Sequence, residues 1–292
     1  MTIATLRRKW AKRIAPEDFF ILLAHATGKE KIFLLTHPDA TLSEEAEARA
    51  TDSLERRLYH EPVAYIVGQK EFYGRAFLVT KDALIPRPET ELLVEQVLAY
   101  YTLHSGAKNK IDFIDIGTGS GAIIITLAQE IPPLLPSTTD VHFFALDISL
   151  PALRIAGENA KRHESVEHIS FLAGDLLDTF SPPREKNRHA IIAANLPYLS
   201  TTIYNESAPD VRLHEPKSAL VSGTDGLAHY RRLFLQLKTL APHYLSTTVF
   251  LEFSPEQSVP LSREIQTFWP QAKPQIFPDL SGKDRLLQVT LP

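Results

Sequence analysis

The four residues Asn195-Leu196-Pro197-Tyr198 directly follow the apolar run "AIIAA", and their types suit one kind of chemistry. An amide or aryl amine nitrogen is a weak nucleophile because its lone pair is delocalised into a π system. A site that alkylates such a nitrogen can accept hydrogen bonds from both of its N–H groups. The side-chain oxygen of Asn195 and the neighbouring backbone carbonyl of Leu196 are two such acceptors. They would aim the nitrogen and stabilise the positive charge growing on it. Pro197 fixes the turn that directs the carbonyl. Tyr198 supplies a flat face on which a planar amide or base can stack. An ordinary strand-end turn would account for the proline and the asparagine but not for the tyrosine.

A second constellation lies upstream. "DIGTGSGA", Asp115 to Ala122, follows a strand pattern and runs into a helix pattern. Glycines at 117, 119 and 121 allow close approach of backbone to a ligand and expose helix-end amides. A dinucleotide fingerprint places its third glycine one residue later, as G-x-G-x-x-G. The G-x-G-x-G form here is the one usual for S-adenosylmethionine enzymes. Asp115, Gly117, Thr118, Gly119, Ser120 and Gly121 are therefore assigned to the cofactor. Asp147 ends the next strand pattern, in "FALDIS", where a carboxylate can accept both ribose hydroxyls. Its structural alternative is capping the following helix, a task Ser149 could also perform. Asp175 and Leu176 end the third strand pattern and would flank the adenine, although Asp175 could equally be a simple cap.

These residues need a scaffold. From residue 111 onward, strand candidates "IDFIDIG", "VHFFALD", "HISFLAGD", "AIIAAN" and "TTVFLEF" alternate with helical patterns. Such alternation implies βαβ units and a mostly parallel sheet covered by helices, an α/β Rossmann-like architecture. "PQIFP" and "RLLQVTL" have no helix between them and read as a closing antiparallel pair. In a doubly wound sheet, ligands sit beyond the carboxyl ends of the strands where the winding reverses. If the glycine loop follows the first strand, its neighbour across that reversal is the fourth, which ends at Asn195. Asn195 then also faces the cofactor.

The first 70 or so residues read as a helical bundle. Ile3, Leu6, Trp10 and Ile14 form one apolar face, with Arg7, Arg8, Lys9, Lys12 and Arg13 as the solvated face. "EDFFILLAHATG" ends at Gly28, a natural C-cap. Thr41 and Glu44 have capping-box spacing before "EEAEARATDSLERRLY". "KEFYGRAFLVT" reads as a hairpin around Gly74. In "LIPRPETELLVEQVLAYY", Pro88 occupies the first turn of a helix. The expected division is 1–70 helical, 71–89 hairpin linker and 90–292 catalytic. "IPPLLPSTTD" and "SPPREKN" read as surface loops.

Composition narrows the class. The 292 residues are 44% hydrophobic and 23% charged, with a formal net charge of −4 and no cysteine. Disulfides and thiolate metal sites are excluded, and a reducing, cytoplasmic setting is expected. An acidic chain is a poor non-specific partner for nucleic acid. No apolar run approaches the roughly 20 residues of a membrane span. The histidines show no H-x-x-x-H spacing, so no metal site is expected. Ser120 and Ser222 lack a nucleophile-elbow context.

Taken together, "EFYG", "LIPRPETE", "DIGTGSGAI", "NLPY", "DVRLHEPKSALVSGTDGL" and "LEF" followed by "EQ" resemble the release factor glutamine methyltransferases, the PrmC/HemK family. The resemblance covers nearly the whole chain. It implies methyl transfer from S-adenosylmethionine to the side-chain amide of the glutamine in the GGQ motif of class I release factors. The product would be S-adenosylhomocysteine, the small helical domain would grip the protein substrate, and the enzyme would be a monomer. The family motif is Asn-Pro-Pro-Tyr, and here Leu196 takes the second place, where its backbone carbonyl serves as well. Asn-Leu-Pro-Tyr also resembles the motif of adenine N6-methyltransferases, which makes RNA or DNA the alternative substrate. Arg87, Glu89, Arg212, His214 and Glu215 could line the site or merely brace it.

Overall fold

The computed structural model describes residues 1–104, 110–134 and 139–292. Residues 135–138 of the "IPPLLPSTTD" loop lie outside the described residues.

Five helices come first: α1 (Ile3–Trp10), α2 (Pro16–Thr27), α3 (Lys31–Thr36), α4 (Glu44–Leu58) and α5 (Val63–Val67). Their apolar residues recur at helical spacing and meet in a core of their own, which includes Ile3, Leu6, Trp10, Phe19, Leu23, Leu54 and Ile66. The basic residues of α1 face outward, and the Arg13 guanidinium lies 5.0 Å from the Trp10 ring centroid. Gly28 ends α2 at φ 68°, with its N–H donating to the Ala24 carbonyl. One expectation is corrected here. Ser43, not Thr41, caps α4, accepting from Ala46 N at 3.2 Å. The helix starts at Glu44, so the cap must be the residue just before it. Thr41 instead makes a bridge with Thr2.

The hairpin follows as β1 (Gln69–Phe72) and β2 (Arg75–Leu78). Tyr73 and Gly74 both have positive φ, 52° and 70°, as a two-residue turn matched to strand twist requires. A 3-10 turn over Pro88–Thr90 then leads into α6 (Glu91–His104).

The remaining elements are β3 (Lys110–Ile116), α7 (Ala122–Glu130), β4 (Asp140–Asp147), α8 (Leu150–Arg162), β5 (Ile169–Ala173) and β6 (His189–Ala194), followed by α9 (Thr201–Glu206), α10 (Pro209–His214), α11 (Ala228–Leu240), β7 (Ser246–Glu252), α12 (Ser258–Phe268), β8 (Gln275–Pro278) and β9 (Asp284–Leu291). The strands form one sheet in the order β5-β4-β3-β6-β7-β9-β8. The first five of these are parallel, and β9 runs antiparallel between β7 and β8, as expected for the closing pair. Two apolar layers cover the two faces of the sheet. Among the described residues no helix is long and apolar enough to cross a membrane.

The winding reverses between β3 and β6. Their register pairs Ile116 with Ala194, so Gly117 emerges beside Asn195. Asn159, fully buried on α8, ties neighbouring pieces together. Its amide donates to the carbonyls of Leu78 and Ser120, and its oxygen accepts from Leu78 N at 2.7 Å.

Candidate active site

Beyond the carboxyl ends of β3, β4, β5 and β6 lies a cleft with about 840 Å³ of atom-free space. Gly117, Gly119, Asp147, Asp175, Leu176, Asn195, Leu196 and Pro197 all line it. A second recess of about 740 Å³ adjoins it, lined by Arg87, Tyr198 and Val211, and it shares Asn195 and Leu196 with the first. The Asn195–Leu196 segment is therefore a partition between two cavities. Asp115, Thr118, Ser120 and Gly121 do not border either one.

The glycine loop holds its own shape. Gly117 N and Thr118 N both donate to the Leu146 carbonyl, at 2.8 and 2.9 Å, and Gly121 N donates to the Thr118 carbonyl. Thr118 Oγ1 donates to Asp115 Oδ2 at 2.7 Å, while Asp115 Oδ1 is buried with no hydrogen-bond partner among the described residues. Burial pushes the Asp115 carboxyl up to about 7 against the pull of the Thr118 hydroxyl. Gly119 N donates to Asp147 Oδ2 and Ser149 N to Asp147 Oδ1, each at 2.8 Å. Burial raises the Asp147 carboxyl above its ordinary range, and these amides oppose the shift. The capping of α8 is done by Ser149, which accepts from Ala152 N, so Asp147 is left to present its remaining lone pairs to the cleft.

Across the cleft, Asp175 pairs with Arg232 of α11. Leu176 holds the left-handed conformation at φ 58°, and Leu177 N donates to Gln236 Oε1. His229 also faces this cavity, its imidazole lowered by burial and by the nearby Arg232 charge.

The Asn195–Tyr198 turn is held by partners far away in sequence. Asn195 Nδ2 donates to Thr90 Oγ1 at 2.9 Å. Gln257 Nε2 donates to the Tyr198 carbonyl at 2.8 Å, and the Tyr198 hydroxyl to Glu252 Oε1 at 3.4 Å. Leu199 N donates to the Leu220 carbonyl, and Ser222 N to the Leu199 carbonyl. Gly226 packs so closely that a Cβ there would lie 2.1 Å from the Tyr198 oxygen. Glu252 is buried, which pushes its carboxyl up to about 7 against Thr90, Arg285 and Tyr198. Burial also raises the Tyr198 phenol, which is thus neutral.

Thr90, Gly226, Arg232, Glu252 and Gln257 were not identified as functional from sequence. Thr90, Gly226, Glu252 and Gln257 lie in "PETE", "DGL" and "LEF" with "EQ", and Arg232 in the helix Ala228–Leu240, segments that carry no spacing a chemical argument could use. Of the residues whose roles were open, Arg87 forms an ion pair with the buried Glu215, which also accepts from Ile85 N. Arg212 donates to the Asn205 carbonyl, and His214 Nε2 contacts the Tyr59 carbonyl beyond α4.

The donor set fits S-adenosylmethionine. A carboxylate, Asp147, is available for a ribose, and Ile148 and Leu176 give the cleft apolar surface. The glycine at 117 keeps the crevice open, because a Cβ there would come within 3.1 Å of Leu196 Cδ2.

Comparison with known proteins gives the same direction. Residues 8–68 match the PrmC N-terminal domain and residues 107–204 a methyltransferase domain. A release factor glutamine methyltransferase from Bacillus cereus is 35% identical, over 96% of this chain and 96% of that protein. The chain belongs to the release factor glutamine methyltransferase family. Another member, from Nitratidesulfovibrio vulgaris, is 36% identical, over 95% of this chain and 88% of its own length. Among solved structures, the hMettl16 catalytic domain in complex with a MAT2A 3'UTR hairpin superposes with TM-score 0.57 at 15% identity, covering 85% of this chain and 84% of that one. The N-terminal domain of human METTL16 in complex with S-adenosylhomocysteine gives 0.51 at 16% identity, covering 97% and 96%. At such identity the likeness concerns the fold, that of a class I S-adenosylmethionine-dependent methyltransferase. S-adenosylmethionine is the cofactor of this family member.

Proposed function

We propose that this protein methylates the side-chain amide nitrogen of the glutamine in the GGQ motif of class I peptide chain release factors. The observation that carries the reading is the Asn195 side chain. It sits on the partition between the two cavities, and its Nδ2 is committed to Thr90. Its Oδ1 therefore points the other way, as an acceptor.

Gly117, Gly119, Asp147, Asp175 and Leu176 would hold the cofactor, with Asp115, Thr118, Ser120 and Gly121 shaping the loop beneath them. Bound S-adenosylmethionine supplies an electrophilic methyl group and leaves as S-adenosylhomocysteine. Asn195 Oδ1 and the Leu196 carbonyl accept the two N–H groups of the glutamine, turning its nitrogen lone pair toward the methyl. Both acceptors bind more tightly as positive charge grows on that nitrogen. Pro197 keeps the carbonyl aimed, and the Tyr198 ring gives the planar amide a stacking surface. No base has to act first, because the nitrogen becomes acidic once alkylated and releases its proton to solvent. The helices of residues 1–70 would grip the release factor, in the cytoplasm where translation terminates.

The test is transfer of labelled methyl from S-adenosylmethionine to a class I release factor, beside the same factor with its GGQ glutamine replaced. Label on the intact factor alone is the expected result. Equal labelling of both, or label on RNA or DNA instead, would overturn the reading.

A further inference from the structure

The strand order sets the parts of the cofactor in sequence along the cleft. Asn195 follows β6, the glycine loop leaves β3, Asp147 ends β4 and Leu176 follows β5, and these strands stand side by side as β5-β4-β3-β6. On the reading above, the methyl group lies at the Asn195 end and the ribose beside Asp147. The base is then left with the far end, past β5. Helix α11 roofs that end: Arg232 pairs with Asp175, and Gln236 Oε1 accepts from Leu177 N at 2.8 Å. His229 lies one helical turn before Arg232 on the same face of α11 and borders the same cavity.

One residue holds the imidazole. Ser222 is fully buried, its Oγ lies 2.7 Å from His229 Nδ1, and the same Oγ accepts from His229 N at 2.9 Å. A serine hydroxyl has one proton to give and two lone pairs to offer. The His229 amide takes one lone pair, and Nδ1 is the acceptor in reach of the proton. The buried hydroxyl is satisfied when it donates to Nδ1, which leaves the ring proton of the neutral imidazole on Nε2. Nε2 forms no hydrogen bond among the described residues, and Asp175 is committed to Arg232 instead. Nε2 remains a donor if the ring is protonated, because both nitrogens then carry hydrogen. It is the polar atom that this side chain has left to offer the cleft.

We propose that His229 binds the cofactor by donating its Nε2–H to a ring nitrogen of the adenine, with Ser222 as the positioning residue that holds the imidazole for this contact. The assignment rests on the cofactor placement given above and is independent of which substrate takes the methyl group. His229 takes no part in the transfer, so its effect falls on affinity.

The test measures binding of S-adenosylhomocysteine to the full chain by calorimetry, with no release factor present. His229→Phe keeps a flat ring and removes the donor, and affinity should fall about 3- to 10-fold, the loss expected for one hydrogen bond. His229→Gln, whose amide can place an NH2 near the position of Nε2, should recover most of it. Deaza analogues, in which each ring nitrogen of the adenine is replaced in turn by C–H, identify the acceptor. One of them should bind the wild type about 3- to 10-fold more weakly than the parent compound, and that penalty should vanish in His229→Phe. In the cofactor-free wild type, 15N NMR in mildly alkaline solution should show the His229 ring proton on Nε2. Wild-type affinity in His229→Phe, or analogue penalties that all persist in that variant, would overturn the proposal. So would equal loss in His229→Phe and His229→Gln, or a ring proton found on Nδ1. Failure of the amide-methylation reading would appear in the labelling of the release factor and leave these binding results as they are.

Discussion

The two walls of the crevice are held in different ways. The glycine-loop wall is closed by short-range ties: Thr118 to Asp115 across three positions, and Gly119 to Asp147 across 28. The Asn195–Tyr198 wall hangs on distant ones: Asn195 to Thr90 across 105 positions, Tyr198 to Gln257 across 59 and to Glu252 across 54. The glycine-loop wall can be made by one strand–loop–helix unit and its neighbouring strand, because its own backbone amides and the Asp147 carboxylate close it. A wall that must aim single hydrogen-bond acceptors at one substrate nitrogen needs its side-chain and carbonyl directions fixed from several sides. Disturbing the first should therefore injure binding, and disturbing the second should injure turnover.

The largest effect is expected from Asn195→Ala. Methyl transfer should fall by about 10²–10³-fold, as when one oriented group that stabilises the transition state is lost. Affinity for S-adenosylhomocysteine, measured by calorimetry, should survive. Unchanged turnover would remove Asn195 from the mechanism. Next comes Gly226→Ala, whose new Cβ would sit 2.1 Å from the Tyr198 carbonyl at a φ of +78°. A destabilisation of about 2 kcal/mol or more is expected from strain and displacement, with kcat falling further than cofactor affinity. The matching change in the other wall is Gly121→Ala, at φ +81°, where a Cβ would lie 2.8 Å from Ile125 Cδ1 and 3.2 Å from Ala156 Cβ. It should cost about 1–3 kcal/mol of stability. Here cofactor affinity should drop while kcat at saturating cofactor holds. If the two glycine variants damage the same parameter, the contrast between the walls is wrong.

The smallest effect concerns pH. Asp115 and Glu252, one in each wall, have carboxyls raised to about 7 from ordinary values of 3.8 and 4.5, chiefly by burial. Between those limits the folded state holds protons that the unfolded chain has released. Their contribution to stability is thus complete below the ordinary carboxylate range and is lost as pH rises through about 7. Urea unfolding of the cofactor-free protein should show stability declining from mildly acidic to mildly alkaline conditions. Asp115→Asn and Glu252→Gln should each flatten part of that slope. A slope untouched by either would place the titration elsewhere.

Much of the cofactor side was legible in the sequence for the same reason that it is short-range. Glycines 117, 119 and 121 all adopt positive φ, a backbone demand that glycine signals directly. The alternation of apolar strand and amphipathic helix places Asp147 at the end of its strand without any knowledge of packing, whereas Asp175, read as a strand end, lies two residues past the end of β5 at Ala173. Capping was less secure, since Ser43 and Thr41 are both good caps and only the helix start chooses between them. The Arg87–Glu215 pair could not have been inferred, as its members stand 128 positions apart with no shared periodicity.

Local sequence determined by itself that two walls would exist and that Asn195 would end one of them. Strand alternation, glycine conformation and the Asn-Leu-Pro-Tyr turn are properties of neighbouring residues. Only the tertiary structure decided which way the Asn195 amide faces. Its Nδ2 donates to Thr90 Oγ1 in the turn before α6, 105 positions away, and a side-chain hydrogen bond between remote segments leaves no spacing in the chain to read.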